Sequence, residues 1–125
     1  MHSLIKKFVS YWLPVTAWAG FIFYLSSIPS LESGLPGTWD WILRKGAHVS
    51  AYTALTVLIF RALHHGHLVK PKTAVLLAVV LALAYACSDE FHQRYVPGRH
   101  GRLRDVAVDT IGIATAGFVL RRKQN

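Results

Sequence analysis

The sequence predicts an all-α integral membrane bundle of four transmembrane helices. Three observations predict it. First, 53% of the 125 residues are hydrophobic and only 16% are charged, against about 25% charged in an average soluble domain. Mean hydropathy is +0.34. A chain this short has too little interior to hide that much apolar surface from water, and it is too apolar to stay disordered. Second, apolar stretches recur four times between polar segments. Third, the 14 Lys and Arg, set against 6 Asp and Glu, stand at the edges of those stretches. There they meet anionic headgroups and set topology. In a soluble chain a net charge of +8 would suggest nucleic acid. At the rims of apolar runs it points to membrane lipid, and no nucleic-acid partner is expected. The length allows one domain, residues 1–125.

The first helix is predicted over 8–28, a run without charge long enough to cross a hydrocarbon core of about 30 Å. Lys6 and Lys7 precede it, as they would in a signal peptide. The run is too long for such a segment, however, and no small-x-small cleavage site follows before Pro29. The second helix is predicted over 45–63, from Lys45 to just past Arg61. The third covers 71–93, with Pro71 in the first turn, where its missing N–H costs nothing. The fourth covers 103–122 and contains Asp109. The third and fourth reach bilayer thickness only by including their polar shoulders, which sets those shoulders at membrane depth.

Orientation follows from Lys and Arg placement. Lys6 and Lys7, then Arg61, Lys70 and Lys72, then Arg121, Arg122 and Lys123 mark three cytoplasmic segments. Both termini are therefore expected in the cytoplasm. The third loop then faces outward, although it carries Arg94, Arg99, Arg102 and Arg104. Asp89, Glu90 and Asp105 offset these in part. Arginine held on that side against the topology bias points to anion binding.

The polar residues gather at the outer end. Lys45, His48 and Tyr52, spaced three then four apart, share a face of the second helix. Asp89, Glu90, His92 and Gln93 close the third, with Asp89 and Gln93 on one face. Pro97, Gly98 and Arg99 follow in the loop. Asp105 and Asp109 open the fourth, and Gly112 and Ala116 continue their face as a small stripe suited to close helix approach. An ionisable group within a span costs about 2.5–3.5 kcal/mol on insertion scales. Asp109 is thus expected to face the bundle interior and to find Lys45, Arg99 or His48.

Two chemistries fit this cluster. As a catalytic site, Glu90 or Asp89 is the general base, His48 donates a proton, and Lys45 and Arg99 stabilise developing negative charge. Tyr52, Gln93, Asp105 and Asp109 then complete substrate binding. As a closed salt-bridge network, the same residues only hold helices together. Carboxylates with His48 and His92 would suit Mg, Mn or Zn, but no spacing is a metal motif, and neither a metal nor a cofactor is assigned. His64, His65 and His67 read as a solvated turn, and Cys87 as a small core residue. Trp12, Trp18, Trp39, Trp41 and Tyr11 read as interfacial or packing aromatics.

Four segments carry a family resemblance. They are Tyr24-Leu-Ser-Ser-Ile-Pro29, Lys45-Gly-Ala-His48-Val-Ser-Ala-Tyr52, Asp89-Glu90-Phe-His-Gln93-Arg-Tyr-Val-Pro97-Gly98-Arg99 and Asp105-Val-Ala-Val-Asp109-Thr-Ile-Gly112. The chain resembles the VanZ-like family, named for a teicoplanin-resistance determinant, over nearly its whole length. The resemblance implies a small multi-pass protein of the bacterial cytoplasmic membrane, linked in some members to lipoglycopeptide resistance. It implies no particular reaction. In one departure, the family usually carries Asn where this chain has Asp109.

The first functional expectation is therefore a cell-envelope protein that binds or modifies an anionic lipid-linked intermediate, such as a polyprenyl phosphate, in an outward-facing pocket. The rival is a non-catalytic scaffold or partner subunit. A third is a small proton-coupled transporter in which Asp109 and Glu90 titrate. Four helices are few for that role, which would call for a homo-oligomer.

Overall fold

The computed structural model describes residues 2–27, 37–95 and 103–124, without the side chains of residues 40, 41 and 103–105. Among the described residues the chain is helical but for short connections such as residues 68–70, with no strand. Four helices follow one another: α1 (His2–Ser26), α2 (Gly37–Gly66), α3 (Pro71–Gln93) and α4 (Leu103–Lys123). The first three are long and apolar enough to cross a membrane. The fourth has 21 residues, which is roughly 32 Å of helix. It falls short in apolarity rather than length, because it is charged at both ends.

α1 starts earlier than the apolar run does. Its turn at Phe8–Trp12 is a π-helix leading directly into Pro14. A proline inside a helix lacks the N–H that the carbonyl four residues back requires, and its ring crowds that carbonyl. A locally widened turn relieves the crowding. The carbonyl concerned is that of Ser10, and Arg61 Nη1 donates to it at 2.8 Å. The same guanidinium lies 4.8 Å over the Tyr11 ring.

α2 also exceeds its expected bounds, beginning eight residues before Lys45 and running on to Gly66. Charged Arg44 and Lys45 read as a loop edge, yet nothing between Thr38 and Lys45 breaks a helix. Its last turn, Ala62–Gly66, is again π-helical. His64 and His65 thus lie inside a helix rather than in a solvated turn. His64 Nδ1 bonds the Val69 carbonyl at 2.8 Å, and Trp12 Nε1 donates to His67 Nε2 at 2.7 Å. Gly66 packs closely here: a Cβ would lie 3.1 Å from the Tyr11 ring, which would have to shift slightly.

The most extensive interface is that of α2 with α4, followed by α3 with α4 and α2 with α3. α3 presents Ala74, Ala78, Ala82 and Ala86 to it, all fully buried. Four-residue spacing keeps them on one face, and their small size lets backbones approach where lipid offers no hydrophobic drive between helices. α4 answers with Gly112, where a Cβ would lie 2.3 Å from the Val49 carbonyl oxygen. Tyr52, Leu55, Ile59, Phe60 and Ile113 fill the space between. α1 is peripheral and buries only Ile22 and Ser26. Phe21, Phe23, Leu76, Leu81, Phe91, Ile111 and Phe118 stay exposed around the outside, as they can where the solvent is hydrocarbon. Cys87 joins them on the exterior. It is not a core residue, because its neighbour Ala86 occupies the inward stripe.

Candidate functional site

The site lies at the end of the bundle where α1 and α3 finish and α2 begins. α3 builds its floor. The inward face that carries alanines along the span switches chemistry in its last two turns, where Asp89, Glu90 and Gln93 are 3%, 5% and 3% exposed. α2 supplies Lys45, His48 and Tyr52, and α4 supplies Asp109. The structure brings these together on the faces the spacing indicated.

Asp109 is wholly buried, and its Oδ1 lies 3.0 Å from His48 Nδ1. The imidazole, one of the three partners the sequence left open, meets Asp109 at this oxygen. The His48 side chain keeps 27% exposure. A carboxylate at Nδ1 orients the ring and fixes its tautomer, which makes Nε2 the acceptor of the neutral ring. This arrangement suits either proton transfer at Nε2 or a plain helix-to-helix tie. Tyr52, fully buried, donates its hydroxyl to Asp89 Oδ2 at 3.2 Å. Asp89 Oδ1 and Gln93 Nε2 are buried and find no hydrogen-bond partner among the described residues. They stand one helical turn apart, an acceptor and a donor side by side.

Other sequence-derived residues stand differently. Lys45 is half-buried, one turn before His48, and Arg94 is exposed. Pro97, Gly98, Arg99 and Arg102 lie outside the described residues, as does the side chain of Asp105. Among the described residues no three His, Cys, Asp or Glu side chains gather as a metal site would require.

Several supporting residues escaped the sequence reading. Thr53 Oγ1 lies 2.7 Å from the Val49 carbonyl of its own helix and 3.1 Å from the Gly112 carbonyl of α4, and donates between them. Tyr85, one turn before Asp89, sets its ring 6.3 Å from that of Tyr52 and donates its hydroxyl to the Ala19 carbonyl. Trp18 Nε1 donates to the Ala51 carbonyl at 2.8 Å. Ser27 Oγ and His92 Nε2 are 3.1 Å apart, and the His92 ring stacks on Phe23 at 4.4 Å. Thr53 ties α2 to α4, and the other contacts fasten α1 to the site. The four-residue step from Tyr85 to Asp89 was a signal that could have found Tyr85. The Ser26-Ser27 pair ending an apolar run was another.

No curated protein and no solved structure matches this chain. The VanZ/LLP1 family model matches residues 5–123. That match covers all four helices and the polar cluster between them, and on it the chain belongs to the VanZ/LLP1 family.

Proposed function

We propose that this protein is a bacterial cell-envelope protein that binds the polar head of an anionic membrane amphiphile at the buried polar end of its bundle. The observation that carries this reading is the pair Asp89 Oδ1 and Gln93 Nε2, a buried acceptor and donor without partners among the described residues. A buried polar atom left unmade costs about 1–3 kcal/mol, and a ligand presenting both a donor and an acceptor recovers it. The setting supports an amphiphile, since the bundle exterior is apolar and the cluster lies where helices end. Lys45, with Arg99 from the adjoining segment, supplies cations for a phosphate or carboxylate. A polyprenyl-phosphate-type intermediate meets both needs where its head carries a hydroxyl, which donates to Asp89 Oδ1 while a phosphate oxygen accepts from Gln93 Nε2. His48, oriented by Asp109, and the carboxylates of Asp89 and Glu90 would serve general acid–base chemistry on such a head if turnover occurs.

In this reading the protein sits in the cytoplasmic membrane with both termini in the cytoplasm, and the site faces outward. Occupancy would change the exposure of the envelope to teicoplanin-type drugs, which a susceptibility test on a strain lacking the gene would register.

The test is native mass spectrometry of the gently solubilised wild type and of Gln93→Leu. The expected result is an anionic amphiphile on the wild type that is lost from Gln93→Leu, with the melting temperature kept. A Gln93→Leu protein that melts higher and carries an unchanged lipid profile would overturn the binding reading. It would favour the second one, a structural network, for which the His48–Asp109 and Tyr52–Asp89 ties between helices speak.

A further inference from the structure

The opposite end of the bundle carries a different chemistry. The chain's six Asp and Glu all fall in the segments joining α1 to α2 and α3 to α4, or in the adjoining helix ends. Eight of the 14 Lys and Arg fall at the other end: Lys6, Lys7, Arg61, Lys70, Lys72, Arg121, Arg122 and Lys123. The polar end is therefore balanced in formal charge, and the whole excess of +8 belongs to the basic end.

At that end a groove of about 250 Å³ runs between α3 and α4. Its walls are apolar, with Val75, Leu76 and Val79 on one side and Ala114 and Phe118 on the other. Gly117 forms the floor, and a Cβ there would approach Val79 Cγ2 to 2.9 Å. Two cations also line it, Lys72 from the first turn of α3 and Arg121 from the last turn of α4. A third, Arg122, holds its guanidinium 5.6 Å over the Phe118 ring. A shallow, open apolar groove with two cations at one end of its lining has the polarity of one molecule type, an acyl chain joined to an anionic head.

We infer that this groove is a second, separate site, for an anionic glycerophospholipid. The acyl chain lies along Val79 and Phe118, and the phosphate sits between Lys72 and Arg121. Charge complementarity selects the occupant, because no Asp or Glu falls at this end to compete for those cations. Each Lys or Arg close to a lipid phosphate contributes about a fivefold gain in affinity.

The experiment compares melting temperature and native mass spectra of the full chain in mixed micelles with added phosphatidylglycerol, phosphatidylcholine or glycerol phosphate. Phosphatidylglycerol is expected to stabilise the wild type over phosphatidylcholine, with one lipid retained. The double variant Lys72→Gln/Arg121→Gln is expected to weaken that binding by roughly 25-fold. Ala114→Trp, at an exposed position, fills the groove and is expected to abolish retention with both cations in place. Lys6→Gln/Lys7→Gln, at the same end but away from the groove, is expected to keep it. Equal loss in the Lys6/Lys7 and Lys72/Arg121 variants would overturn the inference in favour of a diffuse field. An equal gain from glycerol phosphate would overturn it in favour of a simple ion site. The altered cations lie at the end remote from Asp89 and Gln93, and Ala114 is exposed near the middle of α4, so failure of this inference leaves the proposed function standing.

Discussion

Asp109 shows how one atom pair can settle a residue's tolerance to change. It is fully buried and meets His48 at 3.0 Å. Asn at this position keeps an acceptor for the imidazole N–H and nearly the same volume. Asp109→Asn should therefore fold, with a melting temperature in detergent within a few degrees of the wild type. Asp109→Ala removes the acceptor, leaves a cavity and strands a half-buried imidazole. A loss of about 2–4 kcal/mol is expected, read from reversible unfolding in mixed micelles. An Ala variant as stable as the wild type would show that the pair contributes nothing to folding.

Between elements, the decisive contact is that of α4 with α2 at Gly112. No side chain fits there, because the Val49 carbonyl oxygen would lie 2.3 Å from a Cβ and Thr53 Oγ1 2.9 Å from it. Gly112→Ala must push the helices apart and stretch the Thr53 bond to the Gly112 carbonyl. A cost of about 1–3 kcal/mol is expected. Gly46 supplies the control within α2, since nothing lies within 4 Å of its Cβ position. Gly46→Ala should be neutral, or stabilising by roughly 0.5–1 kcal/mol, through helix propensity. Thermal unfolding of the two variants side by side checks both signs. If Gly112→Ala melts with the wild type, the close approach does not hold the bundle.

At the level of the whole molecule, the number of crossings is testable without a structure. Four spans return both termini to one side, whereas three would part them. Reporter fusions at the N- and C-termini should therefore report the same compartment, and opposite compartments would show that α4 lies out of the span. That the protein is a helical membrane bundle was legible in the composition and in the four apolar runs. The inward faces of α3 and α4 were legible in four-residue spacing, which is why Asp89, Gln93 and Asp109 come together. What the sequence hid depends on tertiary geometry. A π turn before Pro14 has no local signature beyond the proline, and the carbonyl that Arg61 caps is identified only once α1 packs against α2. The contact of His48 with Asp109 depends in the same way on how far apart the helices sit. Cys87 was misread because it lies within an apolar run, where hydropathy does not distinguish the lipid face from the core.

The peripheral seat of α1 has a bearing on biogenesis. Within this chain α1 is synthesised before α2, α3 and α4, and it enters the bilayer ahead of them. Yet the tight core is made later, by α2, α3 and α4 closing on alanine and glycine faces. The segment with the earliest claim on the membrane thus has the weakest claim on the fold. It is held by a few hydrogen bonds, those of Trp18, Tyr85, Ser27 and Arg61 among them. Insertion order and assembly order run opposite ways in this chain.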